Sequence, residues 1–188
     1  MGRMNRGATP AGMHHVMNRG NGRRDIFLDD ADFQGFLTQL ASVGRHHGWS
    51  LLSYCLMPNH FHLLVEADIA MVSKGMRDLT GTYARRFNRR HGTTGHVFGG
   101  RFRAVPVLDD RQIAAVVRYV EVNPVTAGLC ATPYDWPWSS CGALIGLREP
   151  EPCLRPQRLW PLLGHDEAVG RRLLEALLEQ LPAPVPGT

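Results

Sequence analysis

Polar and apolar positions along the chain change period several times, and each change marks a predicted element. His14 to Asn18 is a short strand candidate that ends at Arg19-Gly20-Asn21-Gly22, a turn signal followed by Arg23-Arg24. Asp29 or Asp30 offers an N-cap for a helix whose apolar positions Phe33, Phe36, Leu37, Leu40 and Val43 recur at three- and four-residue spacing. That helix should end near His47-Gly48. Trp49 to Met57 reads as a largely apolar strand, Pro58-Asn59 as a turn, and His60 to Glu66 as an alternating strand, so the two strands form a hairpin. A second helix is predicted from about Val72 to Arg90, with Met76, Leu79, Tyr83 and Phe87 on one stripe, although Gly75 and Gly81 weaken its interior.

Thr93 to Gly100 is glycine-rich and loop-like, and Phe102 to Leu108 reads as a further strand. Asp109 or Asp110 can cap a third helix through Ile113, Val116, Val117 and Val120, which Pro124 should stop. Residues 148–165, with Pro150, Pro152, Pro156 and Pro161, are expected to be irregular. A last helix, about Asp166 to Gln180, leads to a proline-rich tail, Pro182 to Pro186, expected to be mobile. Strand, helix, hairpin, helix, strand is the order of a split βαβ arrangement. The expected fold class is therefore α+β: an antiparallel sheet with helices packed on one face, ferredoxin-like or RRM-like, plus a C-terminal helical extension. The other sheet face should be free. The expected division is one domain over residues 1–147, followed by a segment, 148–188, of unassigned role.

Composition narrows the class. A chain of 188 residues with 44% hydrophobic and 20% charged residues can bury a normal core, and it is too short for two full-sized domains. No stretch approaches the roughly 20 apolar residues of a membrane span, and the first dozen residues lack a signal-peptide core, so a cytoplasmic protein is expected. Cys55, Cys130, Cys141 and Cys153 have no two-residue spacing that suggests a zinc knuckle or redox pair. The net charge of +4 is unevenly spread: residues 1–108 hold fourteen Lys/Arg against seven Asp/Glu, whereas residues 109–188 hold seven against ten. All but Lys74 of the basic residues are arginines. Arginine suits bidentate phosphate recognition, and a GC-rich coding bias would produce the same composition.

Three groups of residues could carry chemistry. In Met57-Pro58-Asn59-His60-Phe61-His62-Leu63-Leu64-Val65, strand alternation projects His60 and His62 from one face and sends Phe61, Leu63 and Val65 into the core. Two imidazoles on neighbouring same-face positions can share a metal ion, or they can simply be polar residues on the solvent side. Between Asp78 and Asp109 the chain has no carboxylate and contains Arg85, Arg86, Arg89, Arg90, Arg101 and Arg103. Arg85/Arg89 and Arg86/Arg90 are like-charge i,i+4 pairs, which cost a few tenths of a kcal/mol each unless an anion neutralises them. Tyr83, Phe87, Phe98 and Phe102 interleave with these arginines and could stack on bases or line the core. Lastly, Tyr119 and Asn123 lie four apart on the third helix, as a nucleophile and metal ligand would, or as a buried tyrosine and a C-cap.

Five blocks of this sequence resemble the REP-associated tyrosine transposases, relatives of the small single-tyrosine transposases with a His-hydrophobic-His motif. They are His14-His15-Val16-Met17-Asn18-Arg19-Gly20-Asn21, Leu56 to Val65, Tyr83-Ala84-Arg85-Arg86-Phe87-Asn88, Gly95 to Phe102, and Tyr119 to Leu129. The resemblance spans about residues 12–146, with the blocks in order. It implies a divalent metal, Mg²⁺ or Mn²⁺, held by His60, His62 and the polar residue one turn beyond the tyrosine, Asn123. It also implies a nucleophile, Tyr119, that cleaves and rejoins single-stranded hairpin DNA through a 5′-phosphotyrosine. Ligand preference alone would allow Zn²⁺ or Mn²⁺ at two imidazoles.

The partner so implied is a palindromic, REP-like DNA hairpin bound by a monomer or homodimer at the nucleoid, with no membrane involved. Arg19, Arg23, Arg85, Arg86, Arg89, Arg90, Arg101 and Arg103 are the expected phosphate contacts. Where the family usually has Gln after the aromatic of its Gly-His block, this chain has Gly99, which puts a DNA contact in doubt there. Two other classes remain: a domesticated hairpin-binding protein without catalysis, and a metal-dependent phosphoesterase that uses water and has no need of Tyr119.

Overall fold

The computed structural model describes residues 12–164 and 166–180, so the mobile tail expected at Pro182 to Pro186 lies outside the described residues. The elements follow in the order β1 (Gly12–Arg19), α1 (Asp30–His47), β2 (Ser50–Met57), β3 (His60–Ala67), α2 (Ile69–His91), β4 (Arg103–Val107), α3 (Asp110–Thr126), α4 (Cys141–Leu144), α5 (Pro156–Gly164) and α6 (Glu167–Glu179). The four strands form one antiparallel sheet in the order β2-β3-β1-β4. This is the split βαβ order of an α+β fold: the crossover through α1 leaves a gap that β3 fills.

The helix starts are set by side chains. Asp29, Asp109 and Asp166 each accept a hydrogen bond from the backbone N–H three residues on, as N-cap carboxylates do. Helix α1 ends at Gly48, whose φ of 67° is the left-handed C-cap conformation that glycine adopts without strain. Gly75 does not break α2, because it is needed for packing: a Cβ there would stand 2.4 Å from the Trp49 ring.

Helices α1 and α2 cover the sheet face that carries Phe61, Leu63 and Val65. The Phe36 and Phe61 ring centroids lie 4.9 Å apart, and Tyr83 packs edge-on against Phe36 at 5.1 Å. The second face is not left free as expected. Helix α3 crosses its β2-β3 half, where Val120 packs with Cys55 and Met57. Strand β2 is consequently buried on both sides from Leu51 to Met57, which accounts for its unbroken apolar run. A bulge between Leu51 and Ser53 resets the register of β2, so that Ser53 and Cys55 face α3.

Two further expectations are corrected. Pro124 does not stop α3, which runs on to Thr126; a proline in the last turn forgoes one helical hydrogen bond and little else. The proline-rich stretch after residue 148 is not wholly irregular. Pro156 begins α5 at the position where a missing N–H costs nothing, and Trp160 of α5 packs on Gly170 of α6. Helices α5 and α6 pair with each other and rest on α3. Among the described residues no helix is long and apolar enough to cross a membrane.

Candidate active site

The β1-β3 register places Met17 opposite His62 and Arg19 opposite His60. Residues facing each other across an antiparallel pair share a sheet face, so His60, His62 and His15 all rise on the side that α3 crosses. His62 is buried, with 4% exposure, and its Nδ1 lies 3.0 Å from Nε2 of His15. His60 is half-buried. Its Nδ1 is 2.6 Å from Asn59 Oδ1 and its Nε2 is 3.3 Å from Asn123 Oδ1.

Tyr119 completes the group from above. Its ring meets His62 edge-on at 5.3 Å and His15 at 5.7 Å, yet the residue is 52% exposed, so its hydroxyl is open to an incoming group. One turn along α3, Asn123 reaches His60. The helical spacing read from the sequence is thus completed by a contact across the sheet that spacing alone does not reveal. Tyr83, the other tyrosine beside the arginines, is 1% exposed and donates its hydroxyl proton to the Ile26 carbonyl.

Burial pushes the His62 imidazole down to about 3, aided by the neighbouring His60, His15 and Arg19, and pushes His15 down to about 4. Burial also lowers His60, with Arg19 adding to the effect and the Asn123 contact opposing it. All three rings are therefore neutral near pH 7 and hold a lone pair, the form in which imidazole binds a metal ion. Among the described residues no three His, Cys, Asp or Glu side chains gather to hold a metal. The candidate donor set is instead His60, His62 and the amide oxygen of Asn123.

The Glu121 carboxyl is wholly buried between α3 and β2. It accepts from Ser53 Oγ at 2.8 Å and also from Ser140 Oγ, so it faces the sheet and not Tyr119. Tyr119 has no side-chain base on its own turn.

A cleft of about 480 Å³ opens beside His60 and His62, and Arg19, Arg23, Arg101 and Arg103 line it. Its rim is held by backbone bonds between loops: Gly20 N–H to Asn59 O, Asn21 N–H to Val97 O, and Gly99 N–H to Arg19 O. Gly99 therefore serves the rim with its backbone. Arg85 and Arg89 are exposed on α2 and do not line the cleft.

Arg86 and Arg90 turn the other way. Arg90 pairs with Asp29 and Asp32, each at 2.7 Å, and Arg86 donates to the Ala31 carbonyl. The anions that relieve the like-charge helix pairs include carboxylates at the start of α1, which the sequence expectation of an external polyanion overlooked. The interleaved aromatics are likewise core-facing: Tyr83 and Phe87 are buried, and Phe98 packs against Phe61 and Tyr83. His15 is the site residue that sequence reasoning missed. Period-two alternation along β1 from Met17 was the signal that could have found it.

Residues 9–123 match the family model described as "Transposase IS200 like". The chain belongs to that family. The matched segment of this IS200-like transposase takes in His15, His60, His62 and Tyr119 and ends on Asn123. A relative from Haemophilus influenzae (strain Rd), provisionally named a REP-associated tyrosine transposase, is 26% identical over 107 residues, which is 51% of this chain and 61% of the relative. The chain thus spans about three-fifths of the length of that curated relative. The solved structure of a REP-associated tyrosine transposase bound to a REP hairpin superposes with a TM-score of 0.60 at 20% identity, covering 74% of this chain and 82% of the other. That likeness establishes the shared fold.

Proposed function

We propose that this transposase cleaves and rejoins single-stranded hairpin DNA, with Tyr119 as nucleophile and His60, His62 and Asn123 as ligands of a divalent metal, Mg²⁺ or Mn²⁺. The observation that carries the reading is the joint approach of two residues of α3 to the paired histidines. Tyr119 stands over His62, and Asn123 Oδ1 comes within 3.3 Å of His60 Nε2. A pure binding module has no use for that arrangement, and a phosphoesterase using water has none for an exposed tyrosine beside it.

The donor set fits a divalent cation. Burial keeps both imidazoles neutral, and His60 Nε2 and Asn123 Oδ1 face each other as two acceptors once the His60 proton sits on Nδ1 against Asn59. A cation bound there supplies Lewis-acid polarisation of a phosphate oxygen. Arg19, Arg23, Arg101 and Arg103 hold phosphates along the cleft and orient the strand, and α3 holds the Tyr119 ring against His62, one of the residues that line it. That oxygen bonds to phosphorus as the phenol gives up its proton, and the 3′ oxygen takes up a proton as the P–O bond breaks. The 5′-phosphotyrosine conserves the phosphodiester linkage, so attack by a second 3′-hydroxyl rejoins DNA and restores the phenol.

The hairpin substrate is supported by the REP hairpin in the solved structure that shares this fold, and a chain acting on such DNA would work in the cytoplasm at the nucleoid. The test is incubation of the protein with end-labelled single-stranded hairpin DNA and Mn²⁺, followed by a denaturing gel. A protein-DNA adduct in the wild type that is missing from Tyr119→Phe supports the reading. Tight hairpin binding without any adduct would point to a non-catalytic binder.

A further inference from the structure

The amide of Asn59 is held at both ends. Its Nδ2 donates to the Arg23 carbonyl at 3.2 Å, a bond that only the NH₂ end can make. Its Oδ1 must therefore be the atom 2.6 Å from His60 Nδ1, and as an acceptor it requires Nδ1 to carry the proton. His60 Nε2 is then left with its lone pair toward Asn123. Orientation of the amide, position of the proton and direction of the lone pair follow from one another without any assumption about bound groups.

The other end of the chain of contacts is unusual backbone. Arg23 has φ of 62°, the single non-glycine residue with positive φ among the described residues, and it lines the cleft. Such a conformation persists where the surroundings over-determine it. Here the surroundings include Asn59 twice, through its side-chain bond to the Arg23 carbonyl and through its own carbonyl, which accepts from Gly20 N–H at 2.8 Å.

We propose that Asn59 is a positioning residue that fixes the His60 ring with Nε2 unprotonated and ties that ring to the arginine-bearing wall of the cleft. The role deepens the metal-dependent reading above and rests on it for its purpose. Outer partners of metal-binding histidines act in this way, and losing one typically weakens metal affinity about 10- to 100-fold.

Two substitutions separate the two ends of the amide. Asn59→Ala removes both bonds. Asn59→Asp keeps an acceptor for His60 Nδ1–H but has no donor for the Arg23 carbonyl. The measurements need no DNA: ¹⁵N NMR of the His60 ring in metal-free protein, calorimetric titration with Mn²⁺, and amide hydrogen exchange at Arg23 and Arg24. The wild type is expected to hold the His60 proton on Nδ1. In Asn59→Ala the ring should populate both tautomers, and Mn²⁺ affinity should fall about 10- to 100-fold. In Asn59→Asp the tautomer and Mn²⁺ binding should be retained while exchange at Arg23 and Arg24 quickens.

A wild-type proton on Nε2 overturns the proposal, and so does an unchanged tautomer and Mn²⁺ affinity in Asn59→Ala. If Asn59→Ala fails to fold, the wild-type tautomer and the Asn59→Asp variant decide the question. Failure of the functional reading itself would register elsewhere, as the absence of a wild-type DNA adduct or of any Mn²⁺ binding that His60→Ala removes.

Discussion

Glu121 Oε1 accepts a hydrogen bond from Ser53 Oγ at 2.8 Å, joining the helix that carries Tyr119 to the strand beside the histidines. Burial pushes this carboxyl up to about 7, opposed by the hydrogen bonds from Ser140 and Ser53. A carboxyl raised in the folded state stabilises below its unfolded value near 4.5 and loses that contribution as pH rises through about 7. The loss is at most ~3 kcal/mol. Glu121→Gln is expected to gain in melting temperature relative to the wild type as pH rises from about 5 to about 7. His15 and His62, held low by burial, act in the opposite sense: their contribution starts to be lost as pH falls below the ordinary value of 6.5 and is gone once pH passes about 4 and about 3, a limb that both proteins share. Parallel profiles for the two proteins would exclude Glu121 as the titrating group.

Tyr119→Phe should bind hairpin DNA as well as the wild type does and form no covalent adduct. Tyr83→Phe removes the buried hydroxyl that donates to Ile26 O, so it should lose about 1 kcal/mol of stability in urea titrations and keep the adduct. Peptide mass spectrometry of the trapped species checks the assignment, since a nucleotide on any peptide lacking Tyr119 contradicts it.

The two candidate histidine ligands should differ in stability though not in activity. His62 is buried against His15, and His62→Ala leaves a cavity and an unpaired imidazole, at a cost of roughly 1–3 kcal/mol. His60 is half-buried at the cleft, and His60→Ala should cost less than about 1 kcal/mol. Thermal melts of both variants beside a cleavage assay make the comparison. Equal destabilisation would count against the packing described for His62.

The arginines should sort into two groups. Arg101→Ala and Arg103→Ala are expected to leave the melting temperature unchanged and each to reduce the salt dependence of hairpin binding by about one phosphate contact. Arg90→Ala leaves the buried Asp32 with only His91 and the Leu28 N–H as partners, and should lower the melting temperature without altering that salt slope. Binding measured across a salt series distinguishes the groups, and a flat series for the wild type would remove the phosphate-binding role altogether.

What could be read from the sequence was whatever is local. The alternation of His60, Phe61, His62 and Leu63 assigned faces correctly because the period of a strand is a property of the backbone. Asp29 and Asp109 marked helix starts because an N-cap acts within its own turn. What escaped depended on contacts between distant segments. Arg90 finds its anions at Asp29 and Asp32, on a helix far earlier in the chain. His15 reaches His62 only through the pairing of β1 with β3, and α3 lies on the sheet face that sequence patterning had left bare. Pro156 looked like a breaker because Pro150, Pro152 and Pro161 lie within six residues of it, although at the start of α5 it is a compatible first residue.

The central position of β1 has a consequence for the order of assembly during synthesis. Met13 pairs on one side with Glu66 and on the other with Val107, so the earliest strand in the order waits for both partners to be made. A nascent chain that has emerged only as far as α2 can hold three strands, with β1 as an open edge presenting unpaired backbone groups. Addition of β4 closes that edge, and α3 follows it directly along the chain, bringing Tyr119 and Asn123. The histidines are therefore in register before Tyr119 exists, and that residue joins a sheet already complete.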